Sequence, residues 1–162
     1  MRGYLLQALD IENPIGFINR SFWLSAKKFK YAAKKITGKH PHINPDTLNY
    51  YTPVADVIGP ASQHDKCVVS ITFHKAHVAF QKKWYDMWEH NRELIANNPG
   101  LISMYAHKAL YTGAAALFVY YAYWDSAQAY NEALSSSILC KILGIDVRTK
   151  QANLYRIITQ VM

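Results

Sequence analysis

The chain has 162 residues, of which 51% are apolar, and a formal net charge of +7. This composition excludes a disordered protein, and the length suits one domain of ordinary size with an appendage. No apolar stretch reaches the roughly 20 residues that cross a bilayer, and Asp10 and Glu12 argue against a cleaved targeting peptide at the start. The positive charge favours anionic partners, such as acidic lipid, nucleic acid or an acidic protein face.

Residues 1–66 are predicted to form an extended arm, because they contain five of the six prolines, which break long helices. The arm is predicted to contain one helix, near residues 21–37. Seven basic residues and no acidic residue fall between Arg20 and Lys39. Ser21 can cap this basic amphipathic helix, and its apolar side is formed by Phe22, Ala26, Phe29, Ala33 and Ile36. The residues predicted to contact a membrane or another anionic partner are Arg20, Phe22, Trp23, Lys27, Lys28, Lys30, Lys34 and Lys35.

Three interpretations of this basic helix stay open. It can lie against an anionic membrane, for example one that contains cardiolipin, where each surface lysine adds about 1 kcal/mol. It can contact RNA phosphates. Alternatively, its apolar side packs on the rest of the chain and its lysines are merely solvated.

Residues 67–110 predict a strand, a helix and a second strand. Residues 67–74 are short, β-branched and apolar, as in a buried strand. Residues 80–95 place Trp84, Trp88 and Ile95 on one helical stripe. The helix is predicted to end at Asn97-Asn98-Pro99-Gly100. In residues 101–110, strand alternation predicts two faces: Ile102, Met104 and Ala106 on one, and Leu101, Ser103, Tyr105 and His107 on the other.

Residues 114–162 complete the pattern with a strand, a helix and a strand. Residues 114–124 are dense in aliphatic and aromatic residues, which favours a strand over a buried helix. Asp125 and Ser126 can cap the following helix. Residues 154–161 alternate, with Tyr155 and Ile157 on the face opposite Leu154. Residues 67–162 therefore predict the order βαββαβ, which is the ferredoxin-like arrangement of an α+β domain.

Several segments of residues 67–162 resemble the antibiotic-biosynthesis monooxygenase family, also called dimeric α+β barrels. They are the strand VVSITFH, the helix FQKKWYDMWEHNREL, the entry to the next strand at Pro99-Gly100-Leu101-Ile102-Ser103, and the segment YYAYWDSAQAYNEAL. The resemblance implies one half of a dimeric α+β barrel, which pairs its sheet with a second such barrel from an identical or related chain. It implies a function that ranges from cofactor-free oxygenation to haem degradation, and some members have no known chemistry.

The resemblance also shows where a reaction centre would lie. Haem-degrading members place an Asn, a Trp and a His at positions that correspond to Phe73, Ala133 and Leu143. None of these three residues carries the group that haem degradation needs, so the sequence argues against this activity. For cofactor-free oxygenation, the candidate for a base or donor outside the cavity lining is His74, and the candidates for the cavity lining are Tyr105, His107, Tyr121 and Tyr123. For Tyr121 and Tyr123, aromatic packing is the preferred explanation. Neither a metal site nor a cofactor is predicted.

The function predicted first is that of a non-catalytic accessory subunit in a large mitochondrial inner-membrane complex, either a respiratory-chain complex or the ATP synthase. In this hypothesis the barrel docks other protein subunits, and the arm binds neighbours or the membrane surface without a transmembrane helix. The first alternative is a cofactor-independent monooxygenase or a small-molecule-binding protein of the same family. The second alternative is a protein of the mitochondrial ribosome that binds RNA.

Overall fold

The structure is a computed structural model, and it describes residues 2–9, 17–23, 25–39, 50–62, 66–75, 79, 81–110, 114, 116–135, 139–140 and 154–161. The strands are β1 (Arg2–Ala8), β2 (Phe17–Phe22), β3 (Tyr51–Ile58), β4 (Val68–His74), β5 (Leu101–Ala109), β6 (Phe118–Trp124) and β7 (Leu154–Val161). The helices are α1 (Ala26–Lys39), α2 (Gln81–Ala96) and α3 (Ala127–Leu134). All these strands form one antiparallel sheet with the order β2-β1-β7-β4-β6-β5-β3.

The centre of this sheet confirms the predicted mixed α+β fold. Strand β4, helix α2, strands β5 and β6, helix α3 and strand β7 follow one another along the chain. Their strands lie in the order β7-β4-β6-β5, which is the ferredoxin-like arrangement. The prediction that residues 114–124 hold a strand is also confirmed, and the strand begins at Phe118.

The leading residues differ from the predicted extended arm, because they supply three strands of the same sheet. Strands β1 and β2 lie beside β7 at one edge, and β3 lies beside β5 at the other edge. The prediction relied on the prolines, but a proline does not exclude a strand here. Pro53 lies in the edge strand β3, where the pairing of β3 with β5 is irregular and a residue without an N–H is tolerated. The predicted division into two domains, at residues 66 and 67, stays a prediction.

The predicted basic helix is present but begins later than expected. Residues 17–22 pair with β1 instead of starting the helix, so Phe22 belongs to a strand. Ser25 takes the capping role that was predicted for Ser21, since the backbone N–H of Lys28 donates to the Ser25 Oγ at 3.3 Å. No helix among the described residues is long and apolar enough to span a membrane.

One face of the sheet packs against α2 and α3. The predicted stripe of α2 is confirmed, because Trp84, Trp88 and Ile95 are buried in this core. Helix α3 begins at the predicted cap, where the Ser126 Oγ accepts from the N–H of Ala129 at 3.1 Å. These buried aromatic rings exclude water from the helix-covered face.

The opposite face of the sheet, which we call the second face, has its own apolar cluster. Its buried members include Leu6, Val69, Ile71, Val119 and Tyr155, which come from β1, β4, β6 and β7. No residue of a described helix belongs to this cluster. The second face is therefore covered in part by strands β1 and β2 of the same chain.

The alternation predicted for β5 is wrong at the start of the strand. The register shifts between Leu101 and Ser103, as at a β-bulge, where one extra residue reverses the faces. Leu101 consequently packs in the helix-covered core with Met104, whereas Ile102 belongs to the second face. From Tyr105 onward the predicted faces hold, and this places Tyr105 on the second face.

Two glycines permit close packing next to these strands. Gly100 has φ +75°, in the left-handed region, and a Cβ there would lie 2.4 Å from the Cβ of Ala129. Gly59 follows β3, and a Cβ there would lie 2.1 Å from the backbone oxygen of Leu101. Both positions bring other elements against β5, the strand that carries two of the candidate site residues.

Candidate functional site

Four residues predicted to line a cavity lie together on the second face. Tyr105 and His107 belong to β5, and Tyr121 and Tyr123 belong to the neighbouring β6. The ring of Tyr105 meets that of Tyr123 edge-on at 6.4 Å between centroids. The ring of His107 meets that of Tyr121 in the same way at 5.3 Å. Adjacent strands thus assemble a wall of aromatic rings around one imidazole.

Arg20 joins this wall from the far edge of the sheet. Its guanidinium Nη1 donates to the hydroxyl of Tyr123 at 2.8 Å and its Cζ lies 4.2 Å from the ring centroid of Tyr121. The centroid of Tyr105 is 6.0 Å away. Three strands separate β2 from β6 in the sheet, so these contacts require the sheet to curl until its edge strand reaches across the second face.

The face below Arg20 continues with Phe22, two residues further along β2. The Cζ of Arg20 lies 4.7 Å from the ring centroid of Phe22, whose side chain is 46% exposed. The guanidinium is thus flanked by aromatic rings from β2, β5 and β6, an arrangement that stabilises a cation by about 0.5–2 kcal/mol. Reasoning from the sequence missed this position, because it assigned Arg20 to the basic segment that leads into α1.

His107 is the titratable group that this environment changes most clearly. Its side chain is 9% exposed, and its Nδ1 is buried with no partner of ordinary hydrogen-bond geometry among the described residues. Burial, and to a smaller extent the charge of Arg20, lower the pKa of His107 from 6.5 to about 4, against an opposing contribution from the Tyr105 backbone. His107 is therefore neutral at pH 7 and has an unused polar atom.

Tyr121 is held in its neutral form by the same surroundings. Burial raises the pKa of Tyr121, the charge of Arg20 lowers it, and the nearby Tyr155 raises it. Because burial is the largest of these causes, the hydroxyl stays protonated at neutral pH. The centre of the second face thus combines the neutral hydroxyl of Tyr121, a neutral imidazole and one guanidinium cation.

The remaining residues predicted to contact an anionic partner lie on or beside α1. Trp23 packs edge-on against Phe29 at 5.8 Å between centroids and donates from Nε1 to the Ser21 Oγ at 2.9 Å. The exposed lysines of this group are Lys27, Lys28, Lys30, Lys34 and Lys35. Their contact with a membrane, or with another anionic partner, stays a prediction.

The positions that correspond to the haem-degrading scheme do not form a site. Phe73 is 40% exposed, and Ala133 is buried among the residues of the helix-covered core. Leu143 lies outside the described residues, as do His40, His42 and His77. Among the described residues, no group of three or more His, Cys, Asp or Glu side chains is placed to hold a metal ion.

A second group of stacked rings lies on the helix-covered face. Trp84 stacks on Phe118 with centroids 3.9 Å apart, and Trp88 stacks on Tyr120 at 5.9 Å. The indole N–H of Trp84 donates to the hydroxyl of Tyr120. Burial raises the pKa of Tyr120 to about 12, although this hydrogen bond acts in the other direction. These rings are part of the helix-covered core, so they pack against the face of the sheet that is opposite the candidate site.

No protein-family model and no curated protein matches this chain. Solved structures do match it. An anthrone oxidase-like protein matches with a TM-score of 0.70 and 17% identity, over 99% of this chain and 78% of its own. A monooxygenase-like protein from Listeria innocua gives 0.61 and 17%, over 96% and 79%. A heme-degrading enzyme from Listeria monocytogenes gives 0.59 and 14%, over 95% and 83%.

These likenesses show that the chain has the fold of monooxygenase-like proteins. They extend beyond the part that carried the resemblance in sequence, because 99% coverage includes nearly all of residues 1–66. The prediction of a non-catalytic subunit in a respiratory-chain complex or the ATP synthase is wrong: the similar structures are monooxygenase-like and heme-degrading proteins. The mitochondrial placement, which depended on that prediction, has no support.

Proposed function

We propose that the second face binds a planar hydroxyaromatic molecule, and that the chain is a cofactor-independent monooxygenase acting on it. The observation that carries this proposal is the wall formed by Tyr105, His107, Tyr121 and Tyr123, in which the buried Nδ1 of His107 has no hydrogen-bond partner among the described residues. The similarity to an anthrone oxidase-like and a monooxygenase-like protein supports it. A wall of aromatic rings with one unpartnered polar atom, the His107 Nδ1, suits a flat substrate that carries a hydroxyl group.

The reaction that we propose converts a ring methylene group into a carbonyl group. The substrate loses a proton from this carbon and gives one electron to O2, and the resulting radical combines with superoxide to form a hydroperoxide. Cleavage of the O–O bond and loss of the second C–H proton then release water. The atoms balance, since one oxygen of O2 enters the product and the other leaves as water. No electron donor other than the substrate is consumed.

In this proposal His107 accepts the first proton at Nδ1. With a pKa of about 4, the imidazole of the free protein is a weak base, so the transfer is uphill and its product must be stabilised in the site. Binding of a ligand oxyanion beside Arg20 would counter the charge that lowers this pKa. The imidazole would then become more basic when the substrate is in place. Tyr121, whose ring meets His107 edge-on, would hold the substrate ring and offer its hydroxyl as a donor.

Haem is the other molecule that similar proteins act on, and the described residues do not fit it. The positions that would supply the Asn and the Trp carry Phe73 and Ala133, neither of which has a polar group. His107 is the one histidine that the structure places on the second face within its described residues, and rings surround it. We therefore derive no step through haem.

The test is turnover of 1,8-dihydroxyanthrone, followed by oxygen uptake and by the appearance of the quinone, with the uncatalysed rate subtracted. We expect His107→Gln to lower kcat about a hundredfold, because general-base catalysis contributes at least that much, and Tyr121→Phe to lower it about tenfold. Tyr130→Phe is the matched control, since Tyr130 is a buried tyrosine in the helix-covered core, and it should leave the rate unchanged.

Two outcomes would contradict this proposal in different ways. Binding of the anthrone without oxygen uptake would leave a small-molecule-binding protein and remove the oxygenase. Equal rates for His107→Gln and the unmodified protein would remove the assignment of the base. Fluorescence titration of the tryptophans measures binding independently of turnover, so that the two outcomes are told apart.

Pairing with a second copy of the chain, which the resemblance implies, is also part of the proposal. Large apolar side chains remain exposed on strands of the sheet, including Ile58 at 64%, Ile158 at 47% and Phe73 at 40%. Such side chains are candidates for a subunit interface. Light scattering coupled to gel filtration gives the mass in solution, and the mass of a single chain at all concentrations would contradict the pairing.

A further inference from the structure

Arg20 carries a charge that the described part of the protein does not balance. No carboxylate of the described residues makes an ion pair with it, and the one hydrogen bond that its side chain makes to a described residue is to the hydroxyl of Tyr123. Asp56 of β3 is in register with Tyr105, but it makes no ion pair with Arg20. By contrast, Arg156 of β7, also a strand residue, lies exposed and donates from Nε and Nη2 to the Gln7 Oε1 at 2.9 and 2.6 Å.

Arg20 lies among aromatic rings and is partly buried, so the lack of a counter-charge among the described residues indicates a candidate binding site for an anion. Its side chain is partly buried, and rings lie within 4.2 to 6.0 Å of its Cζ on β2, β5 and β6. A guanidinium has five N–H donors, and a single one is used here by a described residue. A cation that is partly removed from water gains most from an oxyanion that accepts two of its donors in parallel.

The imidazole of His107 can contact a second polar substituent of such a ligand. The Nδ1 of His107 is buried and unpartnered, and both His107 and Arg20 lie against the ring of Tyr121. A molecule that rests on this ring can therefore reach the guanidinium with one substituent and the imidazole with another. The spacing favours an aromatic ring with an acidic oxygen next to a hydroxyl or an acidic carbon.

We infer that the molecule bound at the second face is an aromatic anion, whose carboxylate or phenolate oxygens pair with Arg20. The inference rests on the proposed function for the place of binding, and it adds the charge of the ligand and the residue that selects it. It also makes the leading β1–β2 hairpin a part of the binding site, since Arg20 is the residue of β2 that reaches the rings of β5 and β6.

The test compares ligands that differ in charge and hardly in shape. For the carboxylate the pair is 1-hydroxy-2-naphthoate and its methyl ester, and for the phenolate it is 2,4-dinitro-1-naphthol and its methyl ether. Binding is followed at pH 7 by calorimetry and by quenching of tryptophan fluorescence. We expect at least one anion to bind about tenfold or more tightly than its neutral partner, since hydrogen bonds between charged groups are worth more than one factor of ten. The pair that shows the preference identifies the acidic group.

Variants of Arg20 assign the preference to this residue. Arg20→Met should abolish the preference while the affinity for the neutral ester or ether stays within a few fold, and Arg20→Lys should keep part of it, because the charge remains but the fork of donors is lost. Arg156→Met is the matched control and should keep the full preference. The ligand pairs test the inference on the unmodified protein, so it remains testable if Arg20→Met does not fold.

The outcomes separate the inference from the proposed function. If no member of either pair binds, the second face is not a site for aromatic molecules, and the inference and the proposed function fall together. If anion and neutral partner bind equally, the site stands and the inference is overturned. A preference that persists in Arg20→Met would also overturn it, since another cation would then have to hold the anion.

Discussion

The buried imidazole of His107 predicts a specific loss of stability in acid. In the folded protein the pKa of His107 is lowered from 6.5 to about 4 by burial and by the charge of Arg20. In the unfolded chain it returns to its ordinary value. Between these two values the unfolded chain takes up a proton that the folded protein does not, so stability falls as the pH decreases from about 6.5 towards 4.

The size of this effect follows from the two pKa values. For a single group that titrates at 6.5 when unfolded and at about 4 when folded, the free energy of unfolding decreases by about 2 kcal/mol at pH 5 and about 3 kcal/mol at pH 4, relative to pH 7. Below about pH 4 both states are protonated, and this group causes no further loss. Arg20 of β2 and Tyr121 of β6 face His107 from other strands, and Tyr105 precedes it on β5.

The assay is urea denaturation at pH 7, 6, 5 and 4, followed by tryptophan fluorescence, for the unmodified protein and for His107→Gln. The difference between the two pH profiles isolates His107 from other groups, including His74, whose pKa burial also lowers. We expect the unmodified protein to lose about 3 kcal/mol more than the variant between pH 7 and pH 4. Parallel profiles for the two proteins would show that His107 is not buried in its neutral form, and the argument for its unpartnered Nδ1 would fail.

Two further predictions concern residues that support the site. Ser70→Ala should lower the free energy of unfolding by about 1–3 kcal/mol, because the buried indole N–H of Trp124 donates to the Ser70 Oγ at 3.0 Å and would lose its acceptor. The same change in a Trp124→Phe background should lower it much less. Equal losses in the two backgrounds, measured by denaturation, would contradict the role of this bond. Gly100→Ala should cost at least about 1–2 kcal/mol for the left-handed backbone and more for the contact with Ala129, whereas Gly38→Ala, in helix α1 with open space around it, should be neutral or stabilise by up to about 1 kcal/mol. Thermal unfolding of the two variants gives the comparison, and a stable Gly100→Ala protein would contradict the turn geometry.

Much of the central fold could be predicted from the sequence, because each element there has a strong local pattern. Helix α2 places Trp84, Trp88 and Ile95 at helical spacing, and these residues are buried in the structure. Strand β7 alternates, and Tyr155 and Leu154 do lie in clusters on opposite faces. In β5 the same reasoning failed at Leu101 and Ile102, since a bulge is one extra residue and leaves no mark on the pattern of alternation.

The leading strands could not be predicted, because their pairing partners are distant in sequence. Strand β1 pairs with β7, and the apolar residues of β2 are as compatible with the start of a helix as with a strand. For the site, the clustering of Tyr105, His107, Tyr121 and Tyr123 followed from neighbouring strands. Arg20 did not, since its place above these rings depends on the curvature of the whole sheet.

The pairing of β1 with β7 has a consequence for biosynthesis. Gly3 lies opposite Val161, and Gln7 lies opposite Arg156, so β1 cannot pair with β7 until about 150 further residues have been translated. At ordinary elongation rates the amino-terminal hairpin waits for roughly ten to thirty seconds without its partner. During this time the unpaired edge of the hairpin can pair with strands of other chains. The pairing of β1 with β7 is also slow, because it joins residues that are far apart in sequence. Newly made chains would therefore gain from a chaperone that shields β1 and β2 until β7 has been translated.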